Sequence, residues 1–155
     1  MKRSEELKED ILSEIEKIEN LFNSFTPLTG KLKKQNPSFI ELNALAMFLH
    51  SFYNGLENIF KLIAKKIDEK NLTSERWHIE LLDQMTNTTK NRKKSVLTNK
   101  TYEVLKEYLG FRHFSRHAYS FDLNWDLMKD LIYNIEEIKD ITVKEIRLFI
   151  EEIIE

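Results

Sequence analysis

Apolar residues recur in steps of three and four along almost the whole chain, the spacing that lines one face of an α-helix. Leu7, Ile11, Ile15, Ile18, Phe22 and Phe25 form the first stripe, and Pro27 with Gly30 then marks its exit, so a first helix is expected over about 4–25. A second stripe, from Ile40 through Leu45, Phe48, Phe52, Leu56, Ile59 and Ile63 to Ile67, predicts a long helix over about 38–69 with Pro37 at its first turn. Thr73 or Ser74 is placed to cap a short third helix that carries Trp77, Leu81 and Met85, with Glu75 near its positive end. Residues 86–99 have no usable period and read as a mobile loop. A fourth helix starts at Asn99 or Lys100, carries Tyr102, Leu105, Tyr108 and Leu109, and enters the segment 111–119 just after Gly110, whose missing Cβ leaves room for another backbone or a ligand. The last helix begins near Asn124, with a break expected around 140–143. Unbroken, it would be about 45 Å long, more than a small bundle covers, so its end is expected to bend back or to pack on a partner. These stripes predict an all-α, four- to five-helix up-and-down bundle formed by one domain over residues 1–155.

Composition changes this picture little but removes several chemistries. The 10 Phe, 5 Tyr and 2 Trp supply bulky core material, while 3 Gly and 2 Pro give too little punctuation for a many-turned β fold. With no Cys, disulfides, thiolate zinc sites and cysteine nucleophiles are excluded, and a reducing cytoplasm is the expected location. The charged N-terminal stretch lacks the apolar core of a signal peptide, and charges interrupt every run that might span a membrane.

The net charge of -2 conceals an uneven distribution. Between Lys90 and Arg116 stand eight basic residues against two acidic ones, whereas the stretch after Arg116 holds four basic against ten acidic. Lys90, Arg92, Lys93 and Lys94 in the predicted loop are therefore candidates for contact with a polyanion backbone, or else a solvated basic loop beside an acidic helix.

The segment FRHFSRHAYSF, residues 111–121, is too polar for pure core. On a continuous helix Arg112, Arg116 and Tyr119 share one stripe and His113 and His117 a neighbouring one. Arginine offers a planar fork for phosphate and stays protonated, and a histidine near neutral pKa can take a proton from a ribose 2′-hydroxyl or give one to the leaving oxygen. These groups suffice for RNA cleavage without a metal or cofactor. Because the nucleophile would be RNA's own 2′-hydroxyl, the product is a cyclic phosphate and DNA is refractory. Arg112 and His117, however, lie about 140° apart around an ideal helix and cannot both face one phosphate. Either the helix ends between them or two copies contribute. Plainer readings stand beside this one. Tyr119 could be a buried aromatic with a tied hydroxyl, Arg112 and Arg116 could pair with Glu103, Glu107 or the acidic last helix, and His50 and His78 could be satisfied structural histidines. Metal chelation by His113 and His117 lacks a third ligand and would be opposed by two arginines.

Arg112, His117 and Tyr119, spaced as Arg, four residues, His, one residue, Tyr, resemble the motif of HepT-like toxins of the HEPN superfamily. The runs FYNGLENIFKLIAKKID at 52–68, WHIELLDQM at 77–85 and YLGFRHFSRHAYSFDLNW at 108–125 resemble helices of the same family. The resemblance implies a HEPN-like bundle acting as a homodimeric endoribonuclease toxin. Arg112 and His117 would be catalytic at a cleft between subunits, supported by His113 and Arg116. It also implies a cognate nucleotidyltransferase antitoxin that adds AMP to Tyr119, and an orienting or packing role for Glu57. A non-catalytic helical module that partners a nucleotidyltransferase is the alternative.

Overall fold

The computed structural model describes residues 2–154, and side chains through residue 153. Five helices follow one another: α1 (Lys2–Lys31), α2 (Phe39–Lys66), α3 (Trp77–Gln84), α4 (Asn99–His117) and α5 (Trp125–Ile154), with a 3-10 turn at Ser120–Asp122 between the last two. No strand occurs among the described residues, and the architecture is the expected all-α HEPN-like bundle.

Helix α2 is the axis of the fold and packs on all four other helices. Its start is specified locally. Ser38 Oγ accepts the Glu41 N–H at 3.1 Å while the Glu41 carboxylate accepts the Ser38 N–H at 2.9 Å, so two otherwise orphaned donors are satisfied reciprocally. Pro37 thus precedes the cap rather than occupying the first turn. Against α2 lies an aromatic cluster: Phe25 stacks on Phe48 at 4.5 Å, and Phe22 meets Phe48 and Phe52 edge-on at 4.9 and 5.5 Å. Gly55 lets α1 approach, since a Cβ there would come within 2.8 Å of Ile18 Cγ1.

Three expectations about helix bounds and continuity are corrected. Helix α1 does not exit at Pro27 but continues to Lys31, because Phe25 is packed on α2 and hydroxyls of Thr26 and Thr29 donate to the carbonyls of Phe22 and Thr26 around the proline. Helix α5 runs unbroken, with Thr142 and Val143 buried where the break was expected; α1 has the same 30 residues, so the two long helices pack together with no bend needed. Helix α3 starts at Trp77, later than its sequence caps implied, because Ser74 builds a turn instead, accepting the Arg76 N–H at its Oγ and the Trp77 N–H at its carbonyl. Gly110 meets nothing within 4 Å of an added Cβ, so no neighbouring group approaches it.

Candidate functional site

His50, Tyr53 and Glu57 follow one another in steps of three and four on α2 and turn the same stripe toward α4. The two helices run side by side in opposite senses, so Arg112 of α4 meets Tyr53 and Glu57 while Arg116, one turn on, reaches the level of His50. Arg112 is only 4% exposed, and it is not open to solvent as its place in a polar segment implied. One Nη1–H donates to Glu57 Oε1 at 3.0 Å, and the guanidinium lies over the Tyr53 ring at 5.3 Å. Its Nη2 is 2.8 Å from His78 Nδ1 on α3, and the same ring nitrogen is 2.8 Å from Glu57 Oε2. One imidazole nitrogen is therefore shared between a cationic donor and a carboxylate acceptor, which it can serve only in alternate tautomers. Burial and the Glu57 charge push the Tyr53 hydroxyl far above the usual phenol range, and that hydroxyl has no partner.

The other motif residues face outward. His113, Arg116 and His117 are exposed, and the two imidazoles meet edge to face at 5.2 Å. Helix α4 runs through His117, so it does not end between Arg112 and His117, and one chain does not bring these two to a common point. It does end before Tyr119, which therefore leaves the helical stripe of Arg112 and Arg116: Ala118 turns extended, and the Tyr119 N–H donates to Asp122 Oδ2 at 3.0 Å. The Tyr119 ring is 71% exposed and lies parallel to Phe121, centroids 5.3 Å apart. Arg116 and Tyr119 still meet at a hollow of about 300 Å³ whose other wall carries Asn43 and His50 of α2. Burial first, then the charges of Arg112 and Arg116, hold the His50 imidazole below its ordinary pKa. Its placement in this group carried no signal in the sequence beyond a histidine within an apolar stripe.

The basic loop departs most from expectation. Arg92 is buried, and all five of its N–H donors are spent inside the protein: on both oxygens of Asp68, and on the carbonyls of Gln84, Asn87 and Lys94. It has no donor left for an RNA backbone, and the loop is tied rather than mobile, with Val96 and Leu97 in the core and their N–H groups on the Met85 carbonyl. Lys90, Lys93 and Lys94 remain exposed, Lys94 paired with Glu152 at 2.8 Å. Lys93 and Lys94 line a cleft of about 780 Å³ with Arg3, Lys65 and Lys66, at the far end of α2 from His50. At a rise of about 1.5 Å per residue, the fifteen residues from His50 to Lys65 separate the two places by roughly 22 Å. None of the described helices is long and apolar enough to cross a membrane.

No curated protein and no solved structure matches this chain. A family model described as HepT-like protein matches residues 44–153, which takes in most of α2, all of α3 and α4, and nearly all of α5, leaving α1 outside. That match covers the greater part of the sequence and all the motif residues above, so the chain belongs to the HepT-like family, a HEPN-type and generally RNase-related group.

Proposed function

We propose that this protein is a metal-independent endoribonuclease toxin that cleaves RNA by attack of the ribose 2′-hydroxyl on the adjacent phosphate. The observation that carries the reading is the edge formed by Arg116, His117 and Tyr119: two exposed groups able to bind phosphate and move a proton, beside an open aromatic face on which a base can stack. Arg112 acts from beneath, its charge held by Glu57 and His78. Since α4 is continuous through His117 and Arg112 is turned inward, the reading has two chains pair about a two-fold axis, each edge facing its copy, so that His117 reaches the linkage and Arg112 contributes its charge from beneath. Exposed Phe114, Phe121 and Leu127 at this end of the bundle give such a pairing apolar surface. Tyr119, open and at the rim, is accessible to AMP addition by a nucleotidyltransferase antitoxin. The protein, incubated with structured and unstructured RNA in excess chelator, is expected to yield 2′,3′-cyclic phosphate ends, and Arg112→Ala and His117→Ala to abolish them. Full activity in either variant removes that residue from the site.

The burial of Arg112 favours a second reading, in which the chain is a non-catalytic helical partner of a nucleotidyltransferase. It predicts that the wild type leaves RNA intact yet co-purifies with the enzyme.

A further inference from the structure

We propose that His50, on α2, is the group that accepts the proton of the ribose 2′-hydroxyl, within a pocket for one nucleotide that α2 forms with the end of α4. The inference rests on the ribonuclease reading and adds to the motif a residue outside it. The hollow of about 300 Å³ stands at the lower end of the size range of ligand sites, and its wall brings together Asn43 and His50 from one side and Ser115, Arg116 and Tyr119 from the other. Among the described residues His50 has no hydrogen-bond partner and Arg116 has no ion pair, although His50 is half-buried. Both ring nitrogens of His50 are thus free to bind a ligand in the hollow, beside a guanidinium that is also free to do so.

The chemistry of the surroundings agrees. The charged groups acting on His50 are Arg112 and Arg116 from α4, which disfavour its protonation, and Glu57 on α2, which favours it; burial and the two arginines prevail, and the imidazole stays neutral. A neutral imidazole is the form that takes up a proton, and the same two positive charges attract the phosphate that must lie next to it. In the step, the 2′-oxygen gives its proton to a His50 nitrogen and its electron pair to phosphorus. The bond from phosphorus to the 5′-oxygen breaks, and that oxygen takes a proton from a general acid, the role given to His117, or from water. A 2′,3′-cyclic phosphate and a 5′-hydroxyl result, and His50 returns its proton to solvent. Arg116 steadies the phosphate, and the base lies on the Tyr119 face.

Two measurements test this. His50→Gln keeps a polar side chain but cannot titrate; it is expected to lower kcat by about 10²- to 10⁴-fold with little change in KM, and to abolish the acid limb of the kcat/KM profile. Separately, NMR titration of the wild-type imidazoles is expected to find His50 protonating below its ordinary value, and at higher pH once a 2′-deoxy dinucleotide, which cannot be cleaved, is added. Cleavage by His50→Gln within about twofold of wild type, well short of that range, overturns the assignment but spares the ribonuclease reading. Failure of the wild type to cut any RNA overturns both. If the variant does not fold, the wild-type acid limb decides: agreement with the His50 titration supports the role, and disagreement overturns it.

Discussion

Replacing Arg92 by Ala separates a strut from an RNA contact. The Arg92 and Asp68 side chains are 3% and 1% exposed, and the guanidinium binds both carboxylate oxygens. Its loss leaves Asp68 buried with only Gln84 and Thr89 as donors, and strips one donor from each of the carbonyls of Gln84, Asn87 and Lys94. Removing one partner of a buried ion pair costs about 3–5 kcal/mol, because the survivor keeps its desolvation penalty without its counterion. For a chain of this length each kcal/mol moves the melting midpoint by about 2–4 °C, so Arg92→Ala should melt roughly 6–20 °C early. Exposed Lys93→Ala, by contrast, should stay within about 0.5 kcal/mol of wild type. Thermal unfolding followed by circular dichroism measures both, and tryptic cleavage at Lys90 and Lys93 should quicken only in the Arg92 variant. A melt within about 2 °C of wild type, far below that range, accompanied by weakened RNA binding, would refute the reasoning and return Arg92 to the backbone-binding role its place in a basic run implied.

Other outcomes follow from the same structure. Glu57→Ala strands the Arg112 charge and is expected to cost about 3–5 kcal/mol by urea unfolding, whereas replacing both residues by Leu should recover most of that loss while cleavage stays absent. The folded-state pKa of His50 lies below its ordinary 6.5, so the unfolded chain takes up the extra proton first: stability is full above about pH 6.5 and declines as pH falls through the folded value. His50→Gln should flatten that part of the urea midpoint profile between pH 7.5 and 5, windows set by the histidine range. Gly55→Ala gains about 1 kcal/mol of helix propensity but pushes a methyl against Ile18, an overpacking cost of about 1–3 kcal/mol, so a net loss of up to about 2 kcal/mol is expected in the same assay.

The elements readable from sequence were those governed by period. The stripes from Leu7 and from Ile40 gave the inner faces of α1 and α2 because a three-and-four spacing buries one side of a helix whatever it packs on. Ends were less legible: Pro27 carries a strong local stop signal, yet stacking of Phe25 on Phe48 two residues earlier outweighs it, and that contact lies 23 positions along the chain. The candidate site divides in the same way. Arg112, Arg116, His117 and Tyr119 stood out as an unusual polar cluster, but their orientations did not, since Glu57 and His78 approach from other helices. Arg92 and Lys93 are neighbours of like charge with opposite fates, one buried and one exposed, and Asp68 in the turn after α2, together with the carbonyls of Gln84, Asn87 and Lys94, makes the difference.

The two buried arginines therefore do different work, and a count of donors tells them apart. A buried ion pair adds little stability over apolar side chains of the same shape, so its presence needs a reason beyond stability. For Arg92 the reason is geometric, because five N–H groups gather a carboxylate and three carbonyls that would otherwise leave the loop unpinned. Arg112 spends only two donors, one on Glu57 and one at His78, which leaves three N–H groups on a cation that stands close enough to His50 to oppose its protonation. Arg112 thus stands one helical turn below Arg116, which lines the hollow, with its charge acting on the His50 imidazole. A phosphate that arrives in the hollow with the substrate would meet Arg116 directly and feel the Arg112 charge from behind it.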